Sequence, residues 1–181
     1  LVYTVANTAA NEDYWVGRGS FFQMNRFLID EMVDVVTKGR KGQLAWDLYA
    51  GVGLFSRVLA RGFNQVTAVE VAGSELSSTF KGPGRKAVTT TAVDFLRRAS
   101  VQRDRPELVV MDPPRAGVGA EVCSLLAKLQ PQEIVYVSCD TVTLARDLKL
   151  LLDSGYRAAE AHLLDMFPQT FHLETIAVLK R

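Results

Sequence analysis

The sequence predicts an α/β fold: one doubly wound, mostly parallel sheet that ends in an antiparallel C-terminal strand. Three observations carry that expectation. Short apolar runs alternate with helix-like stretches of roughly 8–14 residues, the pattern of consecutive βαβ units. The last 25 residues hold two strand-like runs with no helix between them, which places an antiparallel strand in the sheet. Every unusual motif falls at the carboxyl end of an apolar run, where sheets of this kind bind ligands.

The elements follow in order. Residues 1–22 are polar and aromatic and read as short strands or loops. From about 26 the pattern is helical, with Leu28, Met32, Val35 and Val36 on one face and Lys38-Gly39 closing it. Residues 44–49 form an apolar strand that runs into Gly51-Val52-Gly53, and 54–61 form a helix stopped by Gly62. A second strand covers 66–71, a weak helix 73–80, and Lys81-Gly82-Pro83-Gly84 is a turn. A third strand at 87–90 precedes a helix near 92–99. A fourth strand at 108–111 ends in Asp112-Pro113-Pro114, with a helix near 120–128 behind it. A fifth strand at 134–137 ends in Ser138-Cys139-Asp140. The helix after it carries Leu144, Leu148, Leu151 and Leu152 and stops at Ser154-Gly155, and strands at 156–164 and 172–179 complete the chain.

Composition narrows the function. The chain has 181 residues, 48% hydrophobic and 23% charged, which suits one folded domain and excludes disordered, collagenous and coiled-coil classes. Lys and Arg total 21 against 20 Asp and Glu, a net charge of +1 that excludes a polycationic nucleic-acid coat but not a local basic face. No apolar run approaches the ~18 residues needed to span a bilayer, and no secretory leader is visible at the N-terminus. No initiator Met is present, so the chain is expected to be a fragment or a processed product. Two cysteines are too few for a disulfide scaffold or a four-cysteine metal site, so no metal and a reducing cytoplasm are expected.

The motifs point to chemistry at one sheet edge. Asp47-Leu48-Tyr49-Ala50-Gly51-Val52-Gly53 follows a strand and opens a helix, and its glycines let a ligand approach the backbone. A dinucleotide fingerprint would have a third Gly where Ser56 stands. Glu70 ends the next strand, 19 residues after Gly51, and an acid there can accept hydrogen bonds from ribose hydroxyls. Asp94, after the third strand, could accept from an adenine amino group. In Asp112-Pro113-Pro114-Arg115 the prolines fix φ and make a rigid turn that aims a carboxylate. Cys139 sits before a helix N-terminus, a position that lowers a thiol pKa, whereas Cys123 lies in an apolar helix and reads as a small core residue. Glu174 stands at the mouth of an apolar strand, costly for a carboxylate unless it is paired or working.

Read together, these segments resemble the RNA uracil-C5 methyltransferases. The resemblance rests on Gly19-Ser20-Phe21-Phe22-Gln23-Met24-Asn25, the 47–53 loop, Asp112-Pro113-Pro114-Arg115, Ser138-Cys139-Asp140 with Thr143-Leu144-Ala145-Arg146-Asp147, and Asp165-Met166-Phe167-Pro168 leading to His172-Leu173-Glu174. It runs in order from about residue 19 to 181, and the Asp165-Met166-Phe167-Pro168 stretch is most like the 23S ribosomal RNA branch. It implies a class I, Rossmann-like methyltransferase fold with S-adenosyl-L-methionine as cofactor and RNA as partner. Residues 26–181 would then be the catalytic domain, with 1–25 a lead-in from an upstream region. By the resemblance, Cys139 matches the nucleophile and Glu174 the base that removes the C5 proton. Gln23, Tyr49, Glu70 and Asp112 match cofactor-pocket positions, with Gln23 and Asp112 also near the target uracil.

The chain also departs from the family pattern. Asp140-Thr141 replaces Asn-Pro after the cysteine, so Asp140 is expected either to oppose a thiolate or to cap the helix. Leu54 stands where several members have Asn, and Phe171 is bulkier than the residue often found before the His. The family's N-terminal RNA-binding barrel is not in this chain. Alternatives to a ribosomal RNA target are a transfer RNA uridine, a cytosine C5, or a degenerate domain that binds cofactor or RNA without turnover.

Overall fold

The computed structural model of the chain describes residues 2–7, 10–16, 23, 25 and 27–181. Its centre is a seven-stranded sheet built from β3 (Gly42–Leu48), β4 (Phe63–Glu70), β5 (Arg85–Thr89), β6 (Leu108–Met111), β7 (Glu133–Ser138), β8 (Arg157–Leu164) and β9 (Glu174–Lys180). The spatial order is β5-β4-β3-β6-β7-β9-β8. The first five strands are mutually parallel, and β9 runs antiparallel between β7 and β8. This is the fold class expected from the alternation of apolar runs and helices. The strand order reverses between β3 and β6, which makes their carboxyl ends the topological switch point.

Among the described residues six helices cover the sheet: α1 (Ile29–Thr37), α2 (Leu54–Leu59), α3 (Ser74–Thr79), α4 (Ala92–Gln102), α5 (Gly119–Leu129) and α6 (Thr141–Asp153). Successive strand residues serve opposite layers. Ala45, Val66, Ala68, Val110, Val135 and Val137 face the layer of α1, α2 and α3. Trp46, Leu48, Val69, Val109, Met111, Ile134 and Tyr136 face the layer of α4, α5 and α6. Both faces are apolar because both are covered, which is why these strands read as continuous rather than alternating apolar runs.

The N-terminal segment contributes an antiparallel pair, β1 (Val2–Asn7) and β2 (Ala10–Trp15). Tyr14 is fully buried in the core of the α1–α2 layer, and its hydroxyl donates to Leu54 O at 2.9 Å. Arg57 lies over the same ring, 5.3 Å from its centroid. Val16 joins the same core. Residues 17–22, 24 and 26 lie outside the described residues, so of the Gly19-to-Asn25 segment only Gln23 and Asn25 can be placed. Asn25 Nδ2 donates to Met166 O at 3.2 Å, which joins this segment to the loop before β9. Among the described residues no helix is long and apolar enough to cross a membrane.

Candidate active site at the carboxyl edge of the sheet

A cavity of about 760 Å³ opens at the carboxyl ends of β3, β4, β6 and β7, within the usual size range for small-molecule sites. Tyr49, Gly51, Glu70 and Val93 line one half. Gln23, Asp112, Arg115, Cys139, Phe167 and Glu174 line the other. The sheet thus brings together six of the seven residues singled out from sequence.

The glycine loop owes its shape to left-handed backbone at alternate positions: φ is 63° at Tyr49, 56° at Gly51 and 92° at Gly53. The glycines take this conformation without a Cβ penalty, whereas Tyr49 is held there against its preference. A Cβ on Gly53 would also come within 3.0 Å of the Leu76 side chain. Glu70 closes the loop. Its carboxylate accepts from Gly51 N at 2.9 Å and from Ala72 N at 3.1 Å, so its orientation is fixed before any ligand arrives. Burial pushes the Tyr49 hydroxyl up to about 12, so it stays protonated and able to donate.

Below the loop lies a group that the sequence did not flag as functional. Asp47 is fully buried on the α2 side of β3, and its Oδ2 accepts from Ser56 Oγ in a very short hydrogen bond. Its other oxygen, Oδ1, is buried without a partner among the described residues. Burial raises the Asp47 carboxyl to about 7, against the lowering effect of Ser56. Ser56 takes the place of the third glycine of a dinucleotide fingerprint, and here it supplies the hydroxyl that ties β3 to α2. An acid inside an otherwise apolar strand was the available sequence signal.

Asp94 is separated from the rest. Its carboxylate accepts from Thr91 Oγ1 at 2.8 Å and pairs with Arg97 at 3.3 Å on the exposed face of α4. The backbone before it turns Thr91, Ala92 and Val93 into the cavity instead. Asp94 is the N3 residue of α4, and Thr91 caps the helix by accepting from Asp94 N at 3.1 Å. Helix capping therefore competes with the adenine contact expected for Asp94 and fixes its carboxylate elsewhere.

The second half of the cavity is a cluster of carboxyls around a thiol. Asp112 is held above the ordinary carboxylate range by burial and by the nearby Glu174 and Asp47 carboxyls. Gln23 Nε2 lies 3.5 Å from Asp112 Oδ2, and Gln23 Oε1 is buried without a partner among the described residues. Burial alone raises Glu174 to about 7, and its Oε1 likewise has no partner among the described residues. Cys139 is half-buried. Its thiol is pushed up by burial, then by Glu174 and Asp112, while Arg115 pulls it down. This corrects the expectation of a lowered thiol pKa: burial first, and then the two acids, push it up.

Asp140 resolves one departure from the family pattern. Its carboxylate is the N-cap of α6 and accepts from Val142 N at 3.1 Å and Thr143 N at 2.9 Å. Those hydrogen bonds hold it below its ordinary pKa, and it is turned toward the helix rather than toward the thiol. Leu54 is buried at the cavity wall, where its side chain offers only apolar contact.

The loop after Asp112 is anchored from below. Asp147 is fully buried and accepts from Tyr136 Oη at 2.8 Å and Val118 N at 2.8 Å. Arg146 pairs with Asp147 at 2.9 Å and donates to Ala116 O at 2.9 Å. Thr143 Oγ1 donates to Arg115 O at 2.9 Å. These bonds hold Pro113, Pro114 and Arg115 against the N-terminal turn of α6, beside Cys139.

The chain is similar to known proteins over most of its length. The family described as tRNA (Uracil-5-)-methyltransferase matches residues 85–181. An uncharacterized RNA methyltransferase of Thermotoga maritima is 36% identical over 177 residues, covering 93% of this chain and 40% of the relative. A 23S rRNA (uracil(747)-C(5))-methyltransferase of Salmonella enteritidis is 34% identical over 174 residues, covering 92% of this chain and 46% of the relative. Among solved structures, the Pyrococcus abyssi tRNA (uracil-54, C5)-methyltransferase in complex with S-adenosyl-L-homocysteine has a TM-score of 0.73 and 30% identity, covering 98% of this chain and 44% of that one. The chain thus spans less than half the length of these relatives. On the matched residues and the shared fold, the chain belongs to the tRNA (uracil-5-)-methyltransferase family.

Proposed function

We propose that this chain is the catalytic portion of an S-adenosyl-L-methionine-dependent enzyme that methylates C5 of a uridine in RNA. The observation that carries the reading is the convergence of Cys139 and Glu174 on one cavity with the Glu70-closed glycine loop. In this reading residues 26–181 are the catalytic unit, in the cytoplasm, and Gln23 is brought in by the lead-in segment 1–25. The RNA is 23S ribosomal RNA, supported by the Salmonella relative.

The cavity suits the cofactor. Glu70 presents fixed lone pairs for two ribose hydroxyls, since each of its oxygens has used only one on the backbone. Val71 and Val93 offer apolar surface to an adenine ring. Buried oxygens without partners on Gln23 and Glu174 await polar ligand atoms. Bound there, S-adenosyl-L-methionine supplies an electrophilic methyl group on a sulfonium.

The protein's own groups make C5 reactive. The Cys139 thiolate adds to C6 of the uracil, forming a C6–S bond and turning C5 into an enolate carbon able to accept the methyl group. A neutral Asp112, kept protonated by burial, can donate to a uracil oxygen on which that charge rests, and Gln23 holds Asp112 in place. Glu174, ionised, then takes the C5 proton. The electrons of that C–H bond form the C5–C6 double bond, and the C6–S bond breaks to return the thiolate. The base must leave its stack to reach Cys139, so the substrate presents a flipped or single-stranded uridine.

The test is covalent trapping. RNA containing 5-fluorouridine has no C5 proton to lose, so with cofactor present it should remain bonded to the wild-type protein and not to Cys139→Ala. Calorimetry should show S-adenosyl-L-homocysteine binding to both. No trapping by wild-type protein that binds the cofactor overturns the covalent mechanism. Mapping of methylated nucleosides in cells lacking the gene assigns the uridine, and a site in transfer RNA overturns the ribosomal assignment.

A further inference from the structure

Outside the cavity proper, Phe171 is 91% exposed. Its ring lies against His172, centroids 4.1 Å apart at 45°. His172 in turn meets two residues of the cavity wall. Its ring centroid is 6.2 Å from that of Phe167, and its Nε2 is 2.9 Å from Arg115 Nη2. Guanidinium nitrogens only donate, so His172 Nε2 accepts, and the imidazole is fixed from the cavity side. Phe171, His172 and Arg115 therefore form a continuous ledge from solvent to the cavity mouth, half aromatic and half cationic.

We infer that this ledge is a stacking platform for the nucleobase next to the target uridine, with Arg115 facing the intervening phosphate. The inference rests on the proposed RNA substrate and goes beyond it by naming a second nucleotide subsite. A base seated against Cys139 is tethered to its neighbours, so an adjacent nucleotide has to cross the rim where the ledge lies. Stacking on an exposed ring accepts any base, because every base has a π-face. A purely apolar partner would cover the phenyl ring and strand the guanidinium without water or counter-charge. A nucleotide meets both needs at once, with a base for the ring and a phosphate oxygen for the guanidinium.

The experiment measures binding of short single-stranded RNA to the full-length protein in the presence of S-adenosyl-L-homocysteine. Two oligonucleotide series carry an abasic residue on the 5′ or the 3′ side of the target uridine. Phe171→Ala should weaken binding of the intact RNA about tenfold, the size of one base–aromatic stack, and Phe171→Trp should restore it. One of the two abasic series should cost wild type the same factor and cost Phe171→Ala nothing further. A 2-aminopurine at that position should lose fluorescence on binding wild type and not on binding Phe171→Ala. Equal binding of intact RNA by wild type and Phe171→Ala overturns the inference, as do losses that simply add. If wild type binds cofactor but neither intact nor abasic RNA, the RNA reading itself falls and takes this subsite with it. The abasic arm needs no protein variant, so the result stands even if a substitution disturbs the fold.

Discussion

Ser138 pairs with Thr175 on the antiparallel β7–β9 ladder. Just beyond that end of the ladder stand Cys139 and Glu174, which line the same cavity and are the two groups on which the proposed chemistry depends. They are 35 residues apart in sequence. A one-residue slip would turn Glu174 to the other face of the sheet. That register is held by the buried side chains of Ile176 and Val178 on one face and Leu179 on the other.

Glu174→Gln should separate the two halves of the reaction. The thiol addition and methyl acceptance remain possible, but the C5 proton has no base to go to. Ordinary uridine RNA should then stay bonded to Glu174→Gln protein, and turnover should fall by roughly 10²–10⁴. Denaturing gel electrophoresis checks it; a variant that turns over at the wild-type rate removes Glu174 from the role of base.

Asp47 gives the fold a pH dependence of defined sign. Its folded pKa of about 7 lies above the ordinary carboxyl value, so between about pH 4 and 7 the folded state binds the proton more tightly than the unfolded state. The stability this provides is complete below pH 4 and is lost as pH rises through 7. In cofactor-free protein at pH 8, Asp47→Asn should therefore be more stable than wild type by on the order of 2 kcal/mol, with a flatter stability profile between pH 4 and 7. Urea unfolding at several pH values checks both.

Asp140 can be tested as a cap. Replacement by Ala removes the acceptor for Val142 N and Thr143 N and should lower the denaturant midpoint of unfolding. Asp140→Asn keeps the acceptor and should unfold close to the wild-type midpoint. Trapping of 5-fluorouridine RNA by Asp140→Asn at the wild-type rate would confirm that the carboxylate is not set against the thiol.

Gly117 is required by the floor of the site. Its φ is +73°, and a Cβ there would sit 2.5 Å from Asp147 Oδ2 and 2.8 Å from Arg146 Nη2. Gly117→Ala should destabilise the protein by about 2 kcal/mol or more, combining left-handed strain with displacement of a buried hydrogen-bonded acid. It should also slow trapping at Cys139, because the loop bearing Arg115 rests on that acid. Thermal melts and trapping rates measure the two effects.

Local pattern was enough for much of this protein. The alternation of apolar runs with helices, the Gly62 and Gly155 stops and the absence of a helix between the last two strands determined the elements and the sheet type. The motifs at strand ends pointed to the edge that carries the cavity, because in a parallel sheet all those ends lie on one side. Local pattern marked Glu70 as an acid at a strand end, but the bonds that tie its carboxylate to Gly51 N and Ala72 N come from the fold. It did not place Asp94, since a carboxylate three residues after Thr91 serves a helix cap as readily as a ligand, and the turn at Thr91 sets it beside Thr91 and Arg97. It failed for the Cys139 thiol, whose pKa depends on burial and then on Glu174 and Asp112, brought in from elsewhere in the chain. The Asp47–Ser56 tie, the Asp147 anchor and the exposed ledge of Phe171 likewise depend on tertiary structure. Backbone conformation follows from neighbours in sequence, but burial and electrostatic fields follow from neighbours in space, and those the fold alone assigns.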